Sequence, residues 1–189
     1  MNSTYIIEDS LPSLGMGTRL KDSFGTITGK VSLTLTDLDT GKVTFSKSSN
    51  QVVYLGRHNV MRIVCGGTVD ATMKVLNTIR FSDGAVATGG DHMNPKAPTI
   101  TDTALFQTNA AKIKTFTTAV PTFSTLANNT LPVATFTKTI TTSDINGLIN
   151  EAGLYFGSNG PMFAHYTFPT LDMRAGTNNS LKVDWEFNF

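Results

Sequence analysis

The last stretch of the sequence alternates regularly between apolar and polar side chains. Leu181, Val183, Trp185, Phe187 and Phe189 fall on one face, and Trp185 is the only tryptophan of the chain. The intervening positions are polar, from the lysine at 182 to the asparagine at 188. A period of two residues predicts a β-strand with one buried face. This is the strongest strand signal in the chain.

Weaker versions of the same pattern recur along the sequence. Val31, Leu33 and Leu35 alternate with polar residues, and the turn-forming run Asp37–Gly41 leads into a second apolar stretch at 43–45, which predicts a β-hairpin. In the strand predicted at 73–81, Val75, Ile79 and Phe81 are expected to point inward. Further strands are predicted at 112–118, 133–140, 149–156 and 162–168, the last two joined by a hairpin turn at 157–160.

One segment has helical spacing instead. Its apolar or amphipathic positions are Val53, Arg57, Val60, Met61, Val64 and Cys65. Any residue of the run Ser48–Asn50 can cap a helix N-terminus, and Gly66–Gly67 can end a helix. The pattern predicts a helix over about 51–65, with Gly56 as a weak point and Cys65 as a small core residue.

These elements define the expected fold class and domain organisation. Eight or nine strands with short turns and one helix indicate an all-β protein, a β-sandwich or jelly-roll-like domain over residues 25–189. Pro12, Gly15 and Gly17 interrupt any periodicity near the start of the sequence. Residues 1–24 are therefore expected to form an extended N-terminal arm.

Composition supports the all-β prediction and narrows the function. Only 15% of the 189 residues are charged, while Thr, Ser and Asn make up nearly a third of the chain. The formal net charge is +1 without a long basic run, so nucleic-acid binding is not expected. The chain has one cysteine, no apolar stretch of membrane-spanning length and no signal-like start, so a soluble protein made in a reducing cytoplasm is expected.

The ionisable residues form no recognised metal or nucleophile pattern. Asp37, Asp39 and Gly41 resemble the start of a calcium loop, but Ser48 stands where such a loop needs its glutamate. His58, His92 and His165 lack ligand spacing, and Cys65 lies two helical turns from His58, about 10 Å away. No catalytic, cofactor-binding or metal-ligating residues are predicted.

Glu151 is the acidic residue that most needs an explanation, because it lies in an apolar run. A catalytic carboxylate needs a partner, and the nearby Asp144 and Asp172 look like turn or cap residues. The favoured interpretation is structural. Glu151 is expected to bind backbone groups or to pair with Arg57 or Arg62 of the predicted helix.

Three C-terminal segments stand out, Ile149–Phe156 (INEAGLYF), Met162–Pro169 (MFAHYTFP) and Leu181–Phe187 (LKVDWEF). Together they resemble a module of tailed-bacteriophage virion structural proteins. Two upstream segments, Asn50–Arg57 and Pro98–Leu105, also fit the pattern. His165 departs from the basic residue that is usual at its position, and Arg174 stands where the module usually has lysine.

The resemblance implies a non-enzymatic structural component of a phage particle, such as a capsid decoration, collar, tail or baseplate subunit. The implied partners are further copies of the chain and other virion proteins (capsid, portal or collar, and tail subunits). The implied location is the virion, with synthesis in the host cytoplasm. Cofactors, nucleic acid and membranes are not expected among its ligands.

Two other functions stay open at the level of sequence. A carbohydrate- or receptor-binding module of a tail fibre would use exposed Tyr155, Tyr166 or Trp185, although the alternation around Trp185 favours a core position. A weaker alternative is a polysaccharide-cleaving enzyme that uses Glu151 as its acid.

Overall fold

The computed structural model describes residues 27–118, 121–124 and 133–188. The predicted arm, 1–24, and Phe189 lie outside the described residues. The strands are β1 (Thr28–Asp37), β2 (Val43–Val52), β3 (Leu76–Ser82), β4 (Lys114–Thr117), β5 (Thr122–Phe123), β6 (Val133–Thr141), β7 (Gly147–Phe156), β8 (Met162–Met173) and β9 (Asn179–Asn188). The helices are α1 (Tyr54–Val64), α2 (Gly84–Ala87) and α3 (Thr142–Ile145).

The all-β prediction is confirmed. The nine strands form one antiparallel, curled sheet in the order β4-β3-β7-β8-β2-β1-β9-β6-β5. β2 joins its two halves, because residues 43–50 pair with β1 whereas Gln51 and Val52 pair with β8. The two layers of the expected sandwich are thus two halves of one sheet that share a strand.

The core lies inside the curl and draws side chains from both halves. Phe163 of β8 meets Phe187 of β9 edge-on, with ring centroids 4.8 Å apart. Near the two ends of the sheet, the Lys138 ammonium lies 5.6 Å from the centroid of the Phe116 ring. The predicted face of β9 is buried as expected, with Trp185 only 1% exposed. Alternation in β9 therefore reflects burial against the opposite half of the sheet.

Helix α1 begins later than the sequence indicates. The residues predicted to cap it, Ser48–Asn50, continue the β2 ladder opposite β1, and the N-cap is Val53, which makes no side-chain capping bond. Ladder hydrogen bonds with β1 satisfy the backbone at 48–50, so tertiary pairing overrides the local capping preference. The C-terminal stop is confirmed, since Gly66 follows the helix with φ +73°.

The predicted inward face of α1 is wrong in part. Gly56 and Asn59 are buried, whereas Met61 is 52% and Val64 72% exposed. Cys65, predicted in the core, is exposed because it caps the end of the helix where the chain leaves the sheet. Val75, predicted to point inward, precedes β3 and is 52% exposed.

Gly56 allows α1 to rest directly on β8. A Cβ atom placed at this position would lie 2.5 Å from the Phe163 Cα and 2.6 Å from the Phe163 carbonyl oxygen. Both are backbone atoms of a central strand, so neither can move aside at low cost. Gly56, which looks like a weak point of the helix in the sequence, is thus the residue that lets α1 pack closely against β8.

We expect Gly56→Ala to lower the free energy of unfolding by about 1–3 kcal/mol, because the added methyl group overpacks against Phe163. Helix propensity alone would predict a gain of about 1 kcal/mol, so the sign of the change separates the two effects. Urea unfolding measures it. Gly176→Ala, where a Cβ meets nothing within 4 Å, is the control and should be nearly neutral. A Gly56→Ala protein as stable as the parent would contradict this packing.

Candidate functional site

Strand β7 is buried on both faces, which is unusual in a sheet of this kind. Residues 149–156 are all buried. One face meets the core inside the curl, and the other is covered by the long segment 83–113 between β3 and β4. Tyr155 on this second face packs with Leu105 and Ile113 of the covering segment. Glu151 lies on the same face, four residues earlier in the strand.

The Glu151 carboxylate is surrounded by hydrogen-bond donors. Its Oε1 accepts from the backbone N–H groups of Gly84 at 3.2 Å and Gln107 at 3.1 Å, and from the Ser82 hydroxyl. Its Oε2 accepts from the Phe106 N–H at 2.9 Å and faces His165 Nε2 at 3.1 Å. The side chain is fully buried, so these partners replace water around the charge.

His165 of β8 lies between two carboxylates. Its Nε2 faces Glu151, and its Nδ1 is 2.8 Å from Oδ2 of Asp102. The Phe106 ring lies against the imidazole with centroids 4.7 Å apart. We call Glu151, His165 and Asp102, with Ser82, the buried polar network.

Asp102 is held by the turn in which it lies. Its carboxylate accepts hydrogen bonds from the Thr99 N–H at 2.9 Å and the Thr99 hydroxyl at 2.6 Å. Its side chain is 12% exposed, whereas that of His165 has no exposed surface. A shallow pocket bounded by Tyr54, Leu55 and His58 reaches Asp102. Asp102 is therefore the member of the buried polar network that contacts solvent.

Hydrogen bonds keep both carboxylates ionised despite their burial. Burial raises the pKa of Glu151, but hydrogen bonds from His165, Ser82 and the backbone outweigh it, and its pKa lies below the ordinary value. Burial likewise raises the pKa of Asp102, but hydrogen bonds from Thr99 and His165 bring its pKa below the ordinary value. The two carboxylates of the network are thus ionised near neutral pH.

Two other side chains of β7 also form hydrogen bonds with the backbone of the segment 83–113. The Asn150 side-chain oxygen accepts from the Ala85 N–H at 3.0 Å, and its amide nitrogen donates to the Asp83 carbonyl at 3.2 Å. The Tyr155 hydroxyl accepts from the Leu105 N–H at 3.2 Å. Together with Glu151 these side chains pair the backbone of a segment that is mostly loop.

Of the two structural roles predicted for Glu151, the first is confirmed. Its carboxylate binds backbone N–H groups, and its side-chain contact on β8 is with His165 rather than with Arg57 or Arg62. Arg62 donates to the Thr68 carbonyl instead. His165, which departs from the usual basic residue, thus still contacts the glutamate through its Nε2. The sequence analysis did not predict the roles of Asp102, Ser82 and Asn150. A signal was present for Asn150, because it lies next to Glu151 as a second polar residue in the same apolar run.

The network lacks the geometry of a nucleophile and base. The Ser82 hydroxyl donates to Glu151, and both His165 nitrogens face carboxylates, so no free nitrogen is left to take the serine proton. Ser82, Glu151 and His165 are at most 1% exposed. The contacts of the buried polar network are structural, because they hold the segment 83–113 over β7. We call this set of contacts the clamp.

The other candidate residues lie outside the buried polar network. His58 and His92 are exposed, whereas His165 is buried, and His92 Nδ1 lies 3.0 Å from the Thr170 hydroxyl. Asp37 Oδ1 accepts from the Asp39 and Thr40 N–H groups, so the predicted hairpin turn is confirmed. In the part of the chain that the structure describes, no group of three acidic, His or Cys side chains could hold a metal ion.

The remaining acids and aromatic residues have local roles. Asp144 forms a capping box with Thr141 at α3, and Asp172 pairs with Arg174, so both are the cap and turn residues that were predicted. Tyr155, Tyr166 and Trp185 are between 1% and 5% exposed. None of the three therefore offers a ring face on which a sugar could stack.

Comparison of the chain with protein-family models, with curated proteins and with solved structures gives no significant match. Among the described residues, no helix is long and apolar enough to cross a membrane. Function is therefore argued from the residues and their contacts.

We expect Glu151→Ala to destabilise the fold by about 3–5 kcal/mol, because it leaves a ring nitrogen of His165 and several backbone N–H groups buried without a partner. Chemical denaturation measures the loss. Glu186→Ala is the matched control, since Glu186 lies on a strand and pairs with Lys47 at the surface, where such pairs contribute less than about 1 kcal/mol. Equal losses in the two variants would contradict the clamp.

Acid should weaken the clamp, because its two carboxylates stabilise the fold in their ionised forms. The pKa values of Glu151 and Asp102 are lower in the folded chain than in the unfolded one, so their stabilisation is complete above the ordinary carboxyl pKa of about 4. It is lost as the pH falls through the lower folded values. The midpoint temperature of thermal unfolding should therefore fall less steeply between pH 7 and pH 3 in Asp102→Asn than in the parent protein. Parallel pH profiles would contradict this linkage.

Proposed function

We propose that this protein is a non-enzymatic structural subunit of a tailed-phage particle that acts by self-association and by contacts with other virion proteins. The C-terminal module on which the resemblance rests occupies β7, β8 and β9. Glu151 of this module and His165, which stands where the module usually has another basic residue, contact each other in the clamp over β7. The residues that most resemble a catalytic group thus hold a surface segment in place.

The main support is the set of large apolar side chains left in solvent on the strand and helix surfaces. Val43 and Phe45 of β2 are 58% and 61% exposed, and Tyr54 and Val64 of α1 are 58% and 72% exposed. Phe123 of β5 is 71% exposed. Val64 and Phe123 line the same apolar pocket, and Val43 and Phe45 share one face of β2. Grouped exposed apolar residues of this kind mark surfaces that bind a protein partner.

The charge balance of the chain agrees with an assembled state. A net charge of +1 on 189 residues gives little repulsion between copies, which favours association at high local concentration. Closed symmetry would repeat one interface many times, so modest contacts between subunits add up. The position proposed within the particle is head decoration, collar, tail or baseplate.

The proposal is tested by native mass spectrometry of the full chain and by analysis of the particles. We expect the purified protein to form complexes whose mass is a multiple of 20.3 kDa, and to be present in purified virions of the phage that encodes it. Deleting its gene should leave incomplete or non-infectious particles. A strictly monomeric protein, with complete infectious virions formed in its absence, would refute the proposal.

A further inference from the structure

Most of β2 presents a free edge. Residues 43–50 pair with β1, and β8 joins the other side of β2 only at Gln51 and Val52. The Val53 N–H then donates to the Phe163 carbonyl at 3.0 Å, so odd-numbered residues of this segment direct their backbone groups toward β8. By the same alternation, the N–H groups of Val43, Phe45, Lys47 and Ser49 point away from β1. No strand of the described residues pairs with them.

An apolar groove adjoins this edge, where β2 and β8 diverge. It is lined chiefly by Leu33 and Leu35 of β1 and by Phe168 and Leu171 of β8, and its volume is about 150 Å³. On β8, the Thr170 N–H already donates to the His92 carbonyl at 2.8 Å. The β2 side therefore offers both the backbone groups and the apolar floor that an added strand needs.

The edge carries little protection against pairing. Proteins usually guard free edges with proline, bulges or inward charges. Segment 43–49 has no proline and one lysine, Lys47, whose ammonium lies 3.3 Å from Glu186 of β9 and so is directed back toward the sheet. Val43 and Phe45 add two exposed apolar side chains on the outer face of the same segment.

The sequence supplies a segment that suits this site. Thr4–Glu8 reads Thr-Tyr-Ile-Ile-Glu, which places β-branched and aromatic residues in a row before an acid. In an extended segment Tyr5 and Ile7 share one face, which matches the apolar groove, and Ile6 falls on the face of Val43 and Phe45. A second β2 edge fits less well, because its groove-facing residues Thr44 and Ser46 are small and polar.

We propose that the free edge of β2 at Val43–Ser49 receives the segment Thr4–Glu8 of a second copy of this chain as an added strand. The inference rests on the proposed function, since it names the contact through which copies associate. β1 pairs with the side of β2 that is opposite the free edge, and the start of β1 lies near Gln51 and Val52, where β8 closes that edge. A segment that precedes β1 would therefore have to cross β2 to reach the free edge of its own copy. The same segment of a second copy would not have to cross β2.

Amide hydrogen exchange of the full chain, measured by NMR across a range of protein concentrations, tests the proposal. The amides of Phe45, Lys47 and Ser49 should become at least tenfold more protected as the protein associates. The amides of Thr44, Ser46 and Ser48, which face β1, should be protected at every concentration and report that the sheet is folded.

The double variant Tyr5→Asp/Ile7→Asp should lose both the added protection and the association. Leu11→Asp/Leu14→Asp introduces the same charge into the same part of the chain and should keep both. An associated protein with unprotected odd-numbered amides would overturn this inference and leave the proposed function standing. Protection of these amides in a monomer would also overturn it, because the added strand would then come from the same copy. Absence of both association and incorporation into virions would refute the proposed function itself.

Discussion

The buried contact between Glu151 and His165 is the interaction on which the organisation of this protein depends. It places the ionised Glu151 carboxylate on a buried face of β7, where removing charge from water is costly unless every partner is in place. The partners are backbone groups of the segment 83–113, so the pair is stable only when that segment covers β7. Folding of the segment and burial of the charge are therefore one event.

Much of the fold could be predicted because it follows from local periodicity. The face of β9 was predictable because one side of that strand meets a continuous core, and burial imposes a period of two. The start of α1 was not, because a run of capping residues can equally extend a strand when a partner such as β1 is present. Cys65 was misplaced for a similar reason, since helical spacing alone does not tell where the helix leaves the sheet.

The candidate site was only half visible from the sequence. A lone acid within the apolar run of β7 predicts a buried side chain that binds backbone, and that part was correct. Asp102 lies 63 residues from His165 in sequence, and nothing local indicates that the turn holding Asp102 folds back over β8. Such contacts depend on how the covering segment packs, which periodicity does not encode.

The shared strand β2 has a consequence for how this protein unfolds. Because it is hydrogen-bonded to β1 along most of its length and to β8 at its end, neither half of the sheet has a complete boundary of its own. The halves also interlock through aromatic contacts such as Phe163 with Phe187. They constitute a single cooperative unit. The one tryptophan, Trp185 of β9, thus serves as a fluorescent reporter for the distant β3–β7 half as well as for its own.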